Sequence, residues 1–341
     1  MTRDREQSEF SNNTSENTFS NSTEMNSYYF VNSELISTKL PKKQVVLSSV
    51  RSCYTTCLAC IERNSGMLDF HVLYFMKHIA RIHSSMQYVL QNCSVELEGF
   101  DDLIDFAQID HVENVVRNNL NDAFQHINSV EGLPYDVDTL RITFLMGVSS
   151  EKQGVFCGLY IEKAPELRMR PVTVCYSQHV RHNPNLKLTS WAKEREALLQ
   201  RAQEFVHPEK CEDVVLLDEN GCFTEGCSSN FFVFRKDNIV ETCPLKNGVL
   251  SGTMRSSLCS CLENSQFILS KNAPTNEGML SDVSDWVCPC ITSTSRIILP
   301  VTRFINLDTQ EEHIFTVPNF ISDLFDELKD LMKQTSVCFK I

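Results

Sequence analysis

The sequence predicts an α+β fold, on three observations. Apolar residues recur at helical spacing in two stretches. One is Val72, Phe75, Met76, Ile79, Met86 and Val89; the other is Phe320, Leu324, Phe325, Leu328 and Leu331. Short β-branched and aromatic runs bounded by turn residues lie between them, densest over residues 214–242. Both kinds of segment occur along the chain, which argues against an all-α or all-β fold.

The elements follow in order. Residues 1–43 are rich in Ser, Asn, Thr and Glu and lack an apolar period, so they read as a disordered tail. Val45 to Leu47 and Tyr54 to Ile61 read as strands, with a turn near Asn64-Ser65-Gly66. A helix is expected from His71 to Leu90. Its second stripe, His71, Tyr74, His78, Arg81 and Ser85, falls on one face by steps of three and four. Residues 101–128 read as further helix and Leu140 to Val148 as a strand, completing a small α+β domain over 44–153. A larger domain is expected over 154–341. It holds strands at Val155 to Ile161 and Val172 to Tyr176, then a charged, exposed helix from Thr189 to Phe205. Strands at Val214 to Leu217 and Cys222 to Gly226 flank the turn Asp218-Glu-Asn-Gly221, where Asn-Gly is a strong hairpin signal. Strands at Asn230 to Phe234, Ile239 to Thr242 and Ile297 to Val301, a helix from Gly252 to Leu262 and the closing helix complete it.

Composition narrows the function. The 341 residues carry a formal charge of -13, which argues against nucleic acid and anionic membranes as partners. No apolar run approaches the roughly 18 residues of a spanning helix, and no secretion signal stands at the start, so a soluble cytoplasmic protein is expected. Cys57-x-x-Cys60, with Cys53 upstream, has zinc-like spacing. Cys259/Cys261 and Cys288/Cys290 do not. Free, mostly buried thiols are the better reading of the 15 cysteines, with no metal expected.

Four segments carry candidate chemistry: His78-Ile-Ala-Arg81, Leu186-Lys187-Leu-Thr-Ser190, Thr224-Glu225-Gly226-Cys-Ser-Ser229-Asn230-Phe-Phe-Val233, and Gly248-Val-Leu250-Ser-Gly252-Thr253-Met254-Arg255. Each alone is weak, since a lone Lys is usually a solvated charge and a Gly-x-x-Arg is usually just a helix start. In this order they resemble the class IV aminotransferase family, the fold-type IV enzymes dependent on pyridoxal 5'-phosphate (PLP). That family includes branched-chain and D-amino-acid aminotransferases and aminodeoxychorismate lyase. The resemblance spans roughly 50–335 and is most specific over 186–262.

The resemblance implies a two-domain D-amino-acid-aminotransferase-like fold, the larger domain binding PLP. It implies a Schiff base between PLP and Lys187, whose amine also shuttles the substrate α-proton. Glu225 is then the carboxylate that keeps the pyridine nitrogen protonated. Arg81 takes the phosphate, with Thr253 and Met254 after Gly252 as a backbone cradle and Ser293 and Thr294 adding hydroxyls. Ser229 and Asn230 flank the glutamate, and Leu250 packs on the ring. Amino-acid and 2-oxo-acid substrates and a homodimer are implied as well. The substrate end departs from the family. Thr55 stands where an acid is common, and no Arg-x-His pair appears where the strand Arg141 to Gly147 lies. Tyr54 and Arg141 are the substrate candidates. Transamination is the expected reaction. A lyase reaction and a PLP-binding protein without turnover stay open as alternatives.

Overall fold

The computed structural model describes residues 27–49, 51–64, 67–92, 105–130, 133–149, 154–263, 265–270 and 283–341. Residues 1–26 of the expected tail, Ser65 and Gly66 of the expected turn, and residues 101–104 of the expected helix lie outside them.

The chain opens with a hairpin inside the expected tail. Strands Tyr28–Val31 (β1) and Glu34–Ser37 (β2) pair across Asn32 and Ser33. Both turn residues have positive φ, 49° and 68°, as a two-residue turn matching strand twist requires. Polar neighbours hide a Tyr-Tyr-Phe-Val run with high strand preference. Lys42–Ser48 (α1) is a helix where Val45 to Leu47 reads as a strand. Its Val45 and Val46 are buried against Tyr54, Leu145, Tyr160 and Ala192, so tertiary packing overrides β-branched preference.

Ser52–Asn64 (β3) and Met67–Leu73 (β4) follow. His71 therefore lies on a strand, not on the expected helix. Phe70 and Val72 are buried, and Tyr74, at φ 54°, breaks the chain before helix Phe75–Asn92 (α2). The apolar spacing across residues 72–76 fits both periods, which is why the sequence misleads there. Helix Ile109–Val130 (α3) and strands Thr139–Ser149 (β5) and Gly154–Lys163 (β6) complete this part. β6 pairs with β5 along ten residues, so the expected division after residue 153 falls between two partnered strands.

Beyond it run Val172–Gln178 (β7), helix Thr189–Val206 (α4), Cys211–Leu217 (β8), Phe223–Gly226 (β9), Asn230–Arg235 (β10) and Ile239–Glu241 (β11). Helix Thr253–Glu263 (α5), Ile268–Leu269 (β12), Trp286–Ser293 (β13), Ile297–Asn306 (β14), Glu312–Ile314 (β15), helix Phe320–Gln334 (α6) and Ser336–Lys340 (β16) end the chain.

Two sheets result. The first has the order β16-β4-β3-β5-β6-β1-β2, so the last strand returns to pair with β4. Its inner face and helices α2 and α3 enclose one apolar core. The second runs β12-β11-β10-β13-β14-β7-β8-β9, with β15 on β14. Asn230 of β10 also pairs with Glu225 of β9, so six of its strands close on themselves. Closure satisfies both edges and places Glu225 and Asn230 side by side.

The cysteines follow strand alternation. Cys53 and Cys57 point into the first core, whereas Cys60, three residues on, packs against the core beneath α6. A spacing of three on a strand sends side chains to opposite faces, so Cys57-x-x-Cys60 is not a metal knuckle here.

Candidate active site

The site forms where segments from both sheets meet. Lys187 lies in the crossover between the parallel strands β7 and β8, just ahead of α4. Its backbone is clamped by the other half of the chain. Lys187 N–H donates to Ser85 Oγ at 3.1 Å, and Tyr54 N–H donates to Lys187 O at 2.9 Å. The helical stripe His78, Arg81 and Ser85 thus faces β3 and this segment. Lys187 Nζ lies 5.2 Å from the centre of the Tyr54 ring. Burial, then the charges of Arg81, Arg195 and Arg181, hold its amine well below the ordinary lysine value.

Glu225 is the matching acid, its side chain only 3% exposed. Its Oε1 accepts from Arg181 Nη1 at 2.6 Å; its Oε2 accepts from Leu250 N–H at 2.9 Å and Asn230 Nδ2 at 3.5 Å. Burial is the largest influence and pushes the Glu225 carboxyl up, against the pull of Arg181 and the Leu250 amide. Arg181, itself 6% exposed, also donates to Leu186 O at 2.5 Å and lies 5.0 Å over the Trp191 ring. It therefore ties the glutamate to the residue before Lys187.

Arg81 Nη1 donates to Thr55 Oγ1 at 3.3 Å and Nη2 to Ser251 O at 2.6 Å. Burial lowers its guanidinium to about 10. Thr55 Oγ1 also meets His78 Nδ1 at 2.8 Å. Burial and the nearby cations push His78 well below its usual value, so the ring is neutral. At the N-terminus of α5, Thr253 and Thr294 hydroxyls meet at 2.8 Å. Thr292 Oγ1 and Ser293 Oγ are buried with no protein partner. Gly252 fits closely here: a Cβ on it would lie 1.9 Å from Asn230 Oδ1.

One cavity of about 350 Å³ lies at the centre of this arrangement. Lys187, Glu225, Arg81 and Tyr54 stand on its wall. So do Ser229, Asn230, Leu250 and Gly252, together with Thr253, Met254, Ser293 and Thr294. The Ser229 hydroxyl is engaged away from the cavity, donating to Asp213 Oδ2 at 2.7 Å. Arg141 is not on the wall. Its Nε is paired at 2.8 Å with Glu162, the residue directly opposite it on β6. Sequence reasoning missed Arg181 and Lys42. Arg181 sits in an irregular loop where no period assigns a face, and nearness to Lys187 in sequence was its one signal. Lys42 falls in what reads as tail. The α4 helix is likewise less exposed than its charge suggests. Lys193 faces solvent, but Trp191 and Ala192 are buried and Arg195 reaches the cavity.

The model of the amino-transferase class IV family matches residues 55–304. The chain belongs to the class IV aminotransferase family.

Solved structures agree with this family at the level of fold. The holo, PLP-bound branched-chain amino acid aminotransferase from Thermobaculum terrenum superposes with a TM-score of 0.65 at 13% identity, covering 92% of this chain and 99% of that one. The fold IV transaminase CpuTA1 from Curtobacterium pusillum gives 0.61 at 14% identity, covering 90% and 99%. The branched-chain aminotransferase from the thermophilic archaeon Thermoproteus uzoniensis, solved with norvaline, gives 0.59 at 14% identity, covering 90% and 95%. A search of curated protein sequences finds no match. This family member thus has a fold-type IV architecture. Among its described residues, no helix is long and apolar enough to cross a membrane.

Proposed function

We propose that this class IV family member is a PLP-dependent aminotransferase that moves an amino group between amino acids and 2-oxo acids, with Lys187 holding the cofactor aldehyde. One observation carries the reading: a buried amine of lowered basicity, a buried carboxylate and an arginine–hydroxyl cluster share one cavity.

The residues present fit the cofactor. Thr292 and Ser293 offer buried hydroxyls with no protein partner, beside the free amides at the start of α5. With Arg81, they fit a phosphate dianion. Glu225 fits a protonated ring nitrogen, since Arg181 and the Leu250 amide hold its carboxylate while one face opens to the cavity. When bound, PLP supplies an electron sink for the α-carbon of an amino acid.

The chain's own residues do the rest. Lys187, neutral because it is buried among cations, is the base positioned to take the α-proton and return it. Ser85 and Tyr54 fix its backbone, so the amine swings from a rigid base. Arg181 keeps Glu225 charged and aligned.

The test is a half-reaction. Holoenzyme mixed with an amino donor and no acceptor is expected to lose its imine absorbance near roughly 420 nm and gain the amine-form band near about 330 nm. One oxo acid per site accompanies it. Failure across a panel of L- and D-donors, with turnover of an aminodeoxychorismate-like substrate, would replace this reading by a lyase.

A further inference from the structure

The cavity wall carries far more positive than negative side chains, and three of the seven cations are already matched by acids. Arg181 is paired with Glu225, Lys43 with Glu196, and Arg296 with Glu212 at 2.8 Å. Arg81 and Lys187 serve the cofactor in the proposed reading. Two cations remain, Lys42 at the start of α1 and Arg195 on α4, and these two helices pack against each other.

Neither has a committed anion. Lys42 Nζ lies 3.5 Å from Thr56 Oγ1 and 4.0 Å from Glu162 Oε1, an oxygen already bonded to Arg141 at 2.8 Å. Arg195 Nη1 donates to a neutral carbonyl, Cys227 O, at 2.9 Å, while its buried Nε has no partner. Burial first, then Arg141 and Arg195, bring Lys42 down to about 7, although Glu162 and Cys57 oppose this. Lys42, Arg195 and Thr56, whose hydroxyl also meets Thr143 Oγ1 at 3.0 Å, thus share the wall of one cavity. That set of donors is built for a carboxylate.

We propose that Lys42 and Arg195, with Thr56, form the subsite that holds the substrate carboxylate. The inference rests on the aminotransferase reading and names the residues that would hold its substrate. It also moves the carboxylate contact off β5, where Arg141 is spent on Glu162. A structural consequence follows. The helix that delivers Lys42 lies ahead of residue 55, so the substrate end of the site draws on sequence outside the segment that the family model matches.

The experiment uses holoenzyme whose cofactor content is checked by absorbance. Binding of two unreactive carboxylates, maleate and 4-methylpentanoate, is measured by calorimetry beside the neutral 4-methylpentanamide. Wild type is compared with Lys42→Met, Lys42→Arg and Arg195→Met. Each methionine variant is expected to weaken carboxylate binding about tenfold to a hundredfold, the worth of a charge-assisted hydrogen bond. Amide binding and cofactor content stay unchanged, and Lys42→Arg recovers much of the loss. Lys42→Gln replaces Lys42→Met if the latter does not fold. Unaltered carboxylate affinity in both charge-removing variants overturns the subsite, as does a wild-type holoenzyme that binds neither acid. Loss of the half-reaction in wild type, with carboxylates still bound through Lys42 and Arg195, overturns the aminotransferase reading alone.

Discussion

Replacing Arg181 by Met tests how Glu225 is held. The pair is buried on both sides, 6% and 3% exposed, with N to O at 2.6 Å. At an effective dielectric of about 20, two unit charges at that distance attract by about 6 kcal/mol. Dehydrating both ions offsets part of this, yet removing one partner of a buried pair still costs about 3–5 kcal/mol, because the other is left charged and buried. Met fills much of the arginine volume, so the change is mainly electrostatic. It also removes the bond to Leu186 O and frees the segment that carries Lys187. The Glu225 carboxyl, already raised by burial, rises further without the guanidinium. The assay is a double-mutant cycle by urea unfolding of the apoprotein at neutral pH, with Glu225→Gln as second change. Arg181→Met is expected to cost about 3–5 kcal/mol, and the double variant about 2 kcal/mol or more less than the sum of the singles. The half-reaction of Arg181→Met should slow by at least about a hundredfold, as removal of a preorganised electrostatic contact does. Additivity within about 0.5 kcal/mol would refute the reasoning, since it would mean the two side chains do not feel each other.

Three further outcomes follow from the same site. Lys187 is held below its ordinary value of 10.5, so the folded apoprotein keeps it neutral while the unfolded chain protonates it. The cost of staying neutral grows as pH falls below 10.5, so apo Lys187→Met should melt higher than wild type at pH 7 and lose that advantage toward pH 10. Calorimetric melting curves showing an advantage that widens with pH would contradict this. Arg81→Ala should weaken PLP retention in equilibrium dialysis by about tenfold or more, with Arg81→Lys between it and wild type because the charge stays but the fork is lost. Equal retention in all three would remove Arg81 from the phosphate site. Gly252→Ala places a methyl 1.9 Å from Asn230 Oδ1 and strains the Asn230 bond to Leu250 O. A loss of about 1–3 kcal/mol by chemical denaturation, with PLP held less tightly, is expected; wild-type stability would show that the cradle is loose.

Local chemistry was legible in the sequence. The strand runs of the second half, the Asn-Gly turn and the residues of four short motifs each carry their signal within about ten neighbours. No single motif selects a site; the order of the four, through the family resemblance, singles out Lys187, Glu225, Arg81 and the Gly252 turn, all of which line one cavity. The tertiary structure decided what depends on partners far along the chain. A Tyr-Tyr-Phe-Val run among polar residues becomes a strand because β6 offers an open edge. Val45 and Val46 become helical because Tyr160 and Ala192 bury them that way. His71 belongs to β4 because β3 and β16 flank that strand, a fact no window around residue 71 contains. The same limit governs the site. Arg141 reads as available on its strand until β6 brings Glu162 beside it. Arg181 and Lys42 sit in segments without periodicity, and only the folded chain turns one toward Glu225 and the other toward the cavity. Sequence distance hides such pairings because electrostatics and burial act through space, and the charge balance of the cavity exists only once both sheets enclose it.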